Sequence, residues 1–389
     1  MAGELRLKTG PHRVLEGSPW AYRGEMYHSD LTPGTVVELT EVNGRFVAKG
    51  LFNPASLIAF RLLTRDARET IDGAWFQKRV REAAQMRFDL LGHRDAYRVV
   101  NSEADQLPGL IVDKYGPMLV VEFLSLGLLP FEEAIVEVLV DLFHPQGIYE
   151  RGDVPVRTKE GLPRTNRMVF GTMVSPVQIM ENDVAMIVDL ADGQKTGHFL
   201  DQYANRRRTG EFAAGKTVFD AFCHTGGFGL TAARHGAKSV VGIDIDAASI
   251  RRAEENAAVN QLQDVTRFVA ANAFDWLRQE SEKGPQYDLG ILDPPAFTKS
   301  KDAVAGAVRG YKEINLRGIK LLKPGGLLVT SSCSYHLSEA QFIEVVRDAA
   351  KDAKRVVKIL EIRGQGMDHP MLPGLPESRY LKCFICAVS

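Results

Sequence analysis

The sequence predicts an α/β protein: a doubly wound parallel sheet in its C-terminal half, preceded by a small β-rich domain and a middle α+β domain. Three observations carry that reading. In residues 186–389, short β-branched runs alternate with helical stretches, a pattern that implies right-handed crossovers and helices on both faces of a parallel sheet. Residues 1–72 are instead short alternating runs broken by Gly, Pro and Asn, the pattern of a β-rich fold. Residues 73–185 mix one long helical period with strand-like runs.

Taken in order, strands are expected at 35–39, 45–48 and 57–63. The apolar spacing turns helical over 75–91, where Arg79, Arg81 and Arg87 lie among the polar positions. Strands at 110–112 and 118–123, a helix at 130–143, and strands at 147–151 and 168–173 complete the middle segment. The parallel strands are expected at 217–222, 239–243, 265–270, 287–292 and 327–331, with a helix at 247–260 between the second and third. The last two runs, 356–362 and 380–387, are joined by a Gly/Pro-rich loop with no room for a crossover helix, so they should pair antiparallel. No internal repeat of fixed period is present.

Composition excludes several classes. Hydrophobic residues at 45% and charged residues at 25% are ordinary for a folded globular protein and unlike disordered, collagen-like or coiled-coil chains. The apolar stretch at 119–129 carries Glu122 and falls short of the roughly 18 apolar residues of a membrane helix. Residues 1–8 lack the apolar core of a secretion signal, and four cysteines do not make a disulfide framework, so no membrane partner and a cytoplasmic location are expected. Lys and Arg total 48 against 49 for Asp and Glu, a net charge of −1 that neither predicts nor forbids a nucleic-acid partner. The triplet Arg206, Arg207, Arg208 reads equally as a local basic patch or as a solvated helix face.

Ligands of open doubly wound sheets bind outside the carboxyl ends of the strands, at the point where strand order reverses. After the first strand comes Asp220-Ala-Phe-Cys-His-Thr-Gly-Gly-Phe-Gly229, where the adjacent Gly226 and Gly227 let backbone approach a ligand. After the second stands Asp244, 24 residues beyond Asp220, near the spacing at which a carboxylate meets ribose hydroxyls. A nucleoside-containing cofactor follows. A dinucleotide is disfavoured, because Phe222 and His224 stand where its first two glycines belong.

The fourth strand ends in Asp293-Pro-Pro-Ala-Phe297, a stiff turn whose prolines donate no hydrogen bonds. Asp293 is placed to accept from a base amino group and Phe297 to stack; taken singly, a turn cap and a core aromatic are the blander readings. The fifth ends in Ser331-Ser-Cys-Ser334. If the sheet runs first, fourth, fifth outward from the switch point, Cys333 and Asp293 end adjacent strands roughly 5 Å apart. A thiol and a carboxylate then share one cleft. Cys383 and Cys386, three apart on a strand, point to opposite faces and read as core, not as a metal pair. No metal site is expected. Cys223 reads as lining the cofactor turn.

Together these residues resemble the class I S-adenosylmethionine-dependent RNA methyltransferases, and within them the bacterial 23S rRNA cytosine-5 methyltransferases with an N-terminal PUA domain. The resemblance extends through Gly17-Ser-Pro-Trp20, Gly50-Leu-Phe-Asn-Pro54, Leu107-Pro-Gly-Leu-Ile-Val-Asp113, Tyr149-Glu-Arg151, Lys159-Glu-Gly161, the run from Gly193 to Gln202, Asp368-His-Pro370 and Tyr380-Leu-Lys382. It implies a PUA RNA-binding domain at 1–72, a central α+β domain at 73–185 and a Rossmann-like methyltransferase domain at 186–389. For the cofactor, S-adenosylmethionine, it implies contacts from Phe222, Cys223, His224, Thr225, Gly226 and Gly227 in the turn, and from Asp244 and Ile245 after the second strand. Asn272 and Ala273 would follow the third strand and Asp293 the fourth. A closing loop, Lys195 to Asp201, would add Phe199 and Asp201. Asn272 departs from the family's usual aspartate: an amide oxygen still accepts but carries no charge.

The implied chemistry is addition of a Cys333 thiolate to carbon 6 of cytosine, which gives carbon 5 the electron density it needs, with Asp293 stabilising the charge shift. Many RNA cytosine-5 families place a second cysteine beside the fourth-strand proline; Pro294 and Pro295 occupy that position here. The base that removes the carbon 5 proton is thus unassigned, with His369 as a candidate on a loop at the cleft mouth. The implied partner is 23S rRNA or a pre-ribosomal particle, with the target cytosine unstacked; a homodimer is compatible with the sequence but rests on no motif. Two alternatives stay open: methylation of a base nitrogen, with Cys333 incidental, and a non-catalytic rRNA-binding assembly factor.

Overall fold

The computed structural model describes residues 3–191, 193, 196–297 and 304–389. They form two compact units. The first comprises Met1–Ile179, Val188–Leu200 and Met367–Ser378, the second Met180–Ile187, Asp201–Gly366 and Arg379–Ser389.

The first unit opens with β1 (Gly3–Arg6), β2 (Trp20–Tyr22), β3 (Val36–Thr40), β4 (Phe46–Phe52) and β5 (Ile58–Thr64). They form a sheet of order β1-β3-β4-β5-β2 in which β1 and β3 run parallel. The helix α1 (Gly73–Leu91) begins at Asp72, whose carboxylate accepts from Trp75 N at 2.9 Å and so caps one of the donors a helix start leaves open. A second sheet, of order β10-β9-β8-β7-β6, follows, with β6 (Ala96–Asn101), β7 (Leu110–Tyr115) and β8 (Met118–Phe123) before α2 (Glu132–Phe143), and β9 (Gly147–Glu150), α3 (Val156–Lys159) and β10 (Arg167–Gly171) after it. Leu51 and Leu63 of the first sheet lie in one buried cluster with Trp75, Phe76, Val99 and Leu119. Arg61 adds ion pairs to Glu103 (3.1 Å) and Glu160 (3.0 Å). The β-rich and middle segments therefore share a core. A hairpin of β11 (Val177–Glu181) and β12 (Val184–Val188) comes next in the chain, with Met180–Ile187 belonging to the second unit.

The second unit holds α4 (Tyr203–Gly210), then β13 (Thr217–Ala221), α5 (Gly227–Arg234), β14 (Ser239–Asp244), α6 (Ala247–Val259), β15 (Thr266–Ala270), α7 (Ala273–Glu282) and β16 (Tyr287–Leu292). It ends with α8 (Val304–Leu321), β17 (Leu322–Ser332), α9 (Glu339–Ala353), β18 (Val357–Arg363) and β19 (Lys382–Val388). The sheet order is β15-β14-β13-β16-β17-β19-β18, parallel except for β19, which runs antiparallel to both β17 and β18. The expected order of first, fourth and fifth parallel strands and the expected terminal hairpin are both present. Phe219, Ile243, Leu292, Leu328, Phe342 and Phe384 are buried in its core, each such side chain stabilising the fold by roughly 1.5–3 kcal/mol. A glycine in mid-strand costs stability, but Gly290 is required: the Phe219 ring lies where its Cβ would stand.

Candidate functional site

Strand order reverses between β13 and β16, so the crossovers leave a crevice at their carboxyl ends. The turn after β13 is held in an unusual conformation. Phe222 (φ 68°), His224 (φ 50°) and Gly226 (φ 89°) alternate through the left-handed region, which costs a non-glycine residue energy and persists where surrounding contacts enforce it. Those contacts are present. Phe222 N and Cys223 N both donate to Ile243 O, at 2.8 and 3.0 Å, and Asn256 Nδ2 donates to Thr225 O at 3.1 Å. His224 N donates to Asp244 Oδ2 at 2.9 Å, while Asp246 N donates to Asp244 Oδ1 at 3.0 Å. Asp244 is thereby fixed between two strand ends. Ile245 beside it is 71% exposed, an apolar face available to a flat ligand. At Gly226 a Cβ would stand 3.0 Å from Leu230 Cδ1 and 3.1 Å from Phe268 Cζ, so both its φ and its surroundings favour glycine.

Three carboxylates meet at these strand ends. Asp220 is 1% exposed; its Oδ2 accepts from Gly229 N at 2.9 Å, and its Oδ1 has no partner among the described residues. Burial, then the nearby charges of Asp293 and Asp244, push its carboxyl up to about 7. Asp293 accepts from Gln202 Nε2 at 2.8 Å, and Asn205 Nδ2 donates to Gln202 Oε1 at 2.7 Å, orienting that amide. The cation whose charge acts on Asp220, Arg206, is itself paired with Glu181.

The thiol stands beside it. Leu292 of β16 pairs with Thr330 of β17, and beyond the strand ends Cys333 Sγ lies 3.9 Å from Pro294 O. Cys333 is partly exposed, whereas Cys223, Cys383 and Cys386 are buried. Burial pushes the thiols of Cys383 and Cys386 up to about 12. They occupy successive faces of β19, as their spacing requires. The loop carrying Cys333 is braced by Ser334, whose hydroxyl is 2.9 Å from the Tyr311 hydroxyl of α8.

Other expectations are placed differently. Cys223 turns its thiol toward Gly242, so what it offers the crevice is backbone. Asn272 is exposed, but its side-chain oxygen caps α7 by accepting from Phe274 N at 2.9 Å, and Ala273 is buried in the first turn of that helix. Phe297 packs into an aromatic cluster at the edge of the core, 4.5 Å from Tyr311 and 5.5 Å from Phe274 between ring centroids, and is partly buried. Asp201 is buried, its carboxylate accepting from the Tyr380 hydroxyl at 2.7 Å; Phe199 is half-buried in the first unit; Lys195 lies outside the described residues.

Neither reading of the arginine triplet holds for all three members: Arg206 is buried against Glu181 (2.8 Å through Nη2), Arg208 pairs with Glu361 and Glu211, and Arg207 is exposed. His369, the candidate base, is 3% exposed within the first unit, with Nδ1 3.1 Å from Asp368 Oδ1. Sequence reasoning also missed Asp220 as a charge, together with Gln202 and Tyr380. Gln202 and Tyr380 lay within runs already singled out, but nothing local shows that each holds a carboxylate.

Fold and crevice together define a doubly wound α/β protein with an acidic crevice at the switch point, the place where such sheets bind ligands. The chain belongs to the S-adenosylmethionine-dependent methyltransferase family, whose model matches residues 164–365, more than half of it; a PUA-like domain matches residues 7–65. Curated relatives along the whole length carry the name ribosomal RNA large subunit methyltransferase I. One from Shewanella frigidimarina is 39% identical over 100% of both chains, and one from Aeromonas salmonicida is 40% identical over 95% of both. Among solved structures, a SAM-dependent methyltransferase described from Streptococcus mutans is 22% identical with a TM-score of 0.84, covering 99% of this chain and 100% of its own, a likeness of fold. A second, also 22% identical at TM-score 0.84 and covering 100% of both chains, is complexed with SAH.

The cofactor is S-adenosylmethionine, and the crevice fits it. Asp220, whose Oδ1 has no partner among the described residues, offers a buried carboxylate that a sulfonium or an ammonium suits.

Proposed function

We propose that this protein methylates carbon 5 of a cytosine in 23S rRNA, with Cys333 as nucleophile and Asp293 assisting. The approach of the Cys333 thiol to the Asp293-Pro294 turn carries this reading. The names of the full-length relatives support large-subunit rRNA as the substrate, and the PUA-like match supports an RNA-binding domain at 1–72, ahead of a central domain at 73–185 and the catalytic domain at 186–389. The turn from Phe222 to Gly227 with Asp244 and Ile245 holds the cofactor, which supplies an electrophilic methyl group when bound.

The chain's residues do the rest. The Cys333 thiolate adds to carbon 6, forming an S–C bond and making carbon 5 an enamine-like nucleophile. Asp293, oriented by Gln202, hydrogen-bonds the base edge as its charge shifts. After methylation a base takes the carbon 5 proton, and elimination breaks the S–C6 bond to regenerate the thiolate. The target cytosine leaves its stack to reach the thiol.

The test uses purified protein, isotope-labelled S-adenosylmethionine and unmodified 23S rRNA, followed by nuclease digestion and nucleoside mass spectrometry. The expected label is in 5-methylcytidine, abolished by Cys333→Ala. Label in a methylated purine, or in any nucleoside with Cys333→Ala fully active, refutes the proposal. Label only with pre-ribosomal particles makes the particle the substrate.

A further inference from the structure

Lysine is rarely buried without a carboxylate, because its ammonium gives up strong hydration on leaving water. Lys382 is such a residue. It opens β19 and is 3% exposed. Its Nζ donates to Ser334 O at 2.8 Å and to Tyr380 O at 2.9 Å, and among the described residues no carboxylate lies within ion-pair distance. Two neutral carbonyls orient an ammonium but do not neutralise it.

The antiparallel register explains where it points. Ser332 of β17 pairs with Lys382 of β19, and the lysine's Nζ reaches forward to the carbonyl of Ser334. The residue between those two anchor points is Cys333. Lys382 therefore spans Cys333 from the neighbouring strand.

We propose that Lys382 is a positioning residue that holds Cys333 as a thiolate, the buried ammonium taking the thiolate as its counter-charge. This deepens the reading of Cys333 as the nucleophile and rests on it. The surrounding charges agree. Burial pulls Lys382 down to about 8, and the largest opposing influence is the negative charge of Cys333. Arg379 and Glu339 also act on it, in opposite senses, but they form an ion pair with each other. By reciprocity, whatever the thiolate does for the ammonium the ammonium does for the thiolate. A thiolate, not a thiol, is what adds to carbon 6.

The test is the pH dependence of Cys333 alkylation by iodoacetamide, followed by mass spectrometry of the Cys333 peptide, in wild type, Lys382→Met, Lys382→Gln and Lys382→Arg. Met and Gln remove the charge; Gln keeps a donor for one carbonyl, and Arg keeps the cation. Removing the charge is expected to raise the inflection by a unit or more, slowing alkylation at neutral pH about tenfold, while Arg keeps it near wild type. S-adenosylhomocysteine binding by calorimetry serves as the folding control, and Lys382→Gln carries the test if Lys382→Met fails it. An unmoved inflection in a charge-free variant that binds S-adenosylhomocysteine overturns the proposal; so does an inflection raised as far in Lys382→Arg. Nucleoside analysis separates the two readings. A shifted inflection without 5-methylcytidine keeps the pairing and sinks the cytosine assignment, and Cys333-dependent 5-methylcytidine with no shift does the reverse.

Discussion

Replacing Asp220 by asparagine should stabilise the cofactor-free protein while weakening its hold on the cofactor. Asn preserves an oxygen to accept from Gly229 N and removes the charge that the other oxygen, unpartnered among the described residues, carries. Because the folded state raises this carboxyl from 3.8 to about 7, the native protein binds the extra proton between those values, and stability falls as pH rises through that window. At about 1.4 kcal/mol per unit the loss approaches roughly 4 kcal/mol by pH 8, a ceiling set by complete burial. Urea unfolding without cofactor should thus show Asp220→Asn more stable than wild type at pH 8 by up to that amount, and nearly equal at pH 4. A cation bound in the crevice favours the ionised carboxylate, so wild-type affinity for S-adenosylmethionine should rise with pH up to about 7. Between pH 7 and pH 6 calorimetry should find it falling several-fold, whereas the variant should bind weakly with a flat profile. Equal stability at pH 8, or the same pH slope in both proteins, would show that Asp220 is not the group that titrates.

Asp244→Ala removes an acceptor of two backbone donors and, in the proposed site, of the cofactor's hydroxyls; at about 1.5–3 kcal/mol per charged hydrogen bond, S-adenosylmethionine affinity should fall 10- to 100-fold by calorimetry. Arg206→Met leaves Glu181 charged and buried and should cost about 3–5 kcal/mol in urea unfolding, with Glu181→Gln in the same chain recovering part of it; a neutral effect refutes the buried pair. Native thiol counting with a maleimide at pH 8 should find one reactive cysteine, Cys333, and four after denaturation, since the other three are buried.

The alternation of runs in the second unit made its strands readable, because parallel strands covered on both faces carry continuous apolar residues and need a helix between them. The hairpin of β18 and β19 followed from loop length alone. By contrast β6, with Arg98 inside Ala96–Asn101, has no such signature, and β1 and β2 are too short for a pattern to emerge. At the site, Cys333 and Asp293 could be brought together because strand order follows from connection rules. Arg206 could not be read, since a basic triplet has the same sequence whether solvated or matched by Glu181 across 25 residues. The burial of His369 was illegible for a related reason: its surroundings, not its loop, decide its exposure.

What the second unit adds to a bare doubly wound sheet comes from its two flanking segments. The segment before β13 sends Gln202 to Asp293. The segment entering β19 sends the Tyr380 hydroxyl to Asp201 and the Lys382 ammonium to the carbonyl beyond Cys333. Neither segment belongs to the alternation that builds the sheet, yet each supplies polar partners that the strand ends cannot supply for themselves. Carboxylates and a thiol gathered at parallel strand ends repel one another when ionised, and in a half-buried crevice that repulsion is weakly screened. A cleft of this kind stays charged only if cations and donors arrive from outside the sheet. In the proposed site the cofactor would bring its sulfonium and its ammonium, and Lys382 supplies a further ammonium from the chain itself, so its loss should be felt at the nucleophile before it is felt in the fold.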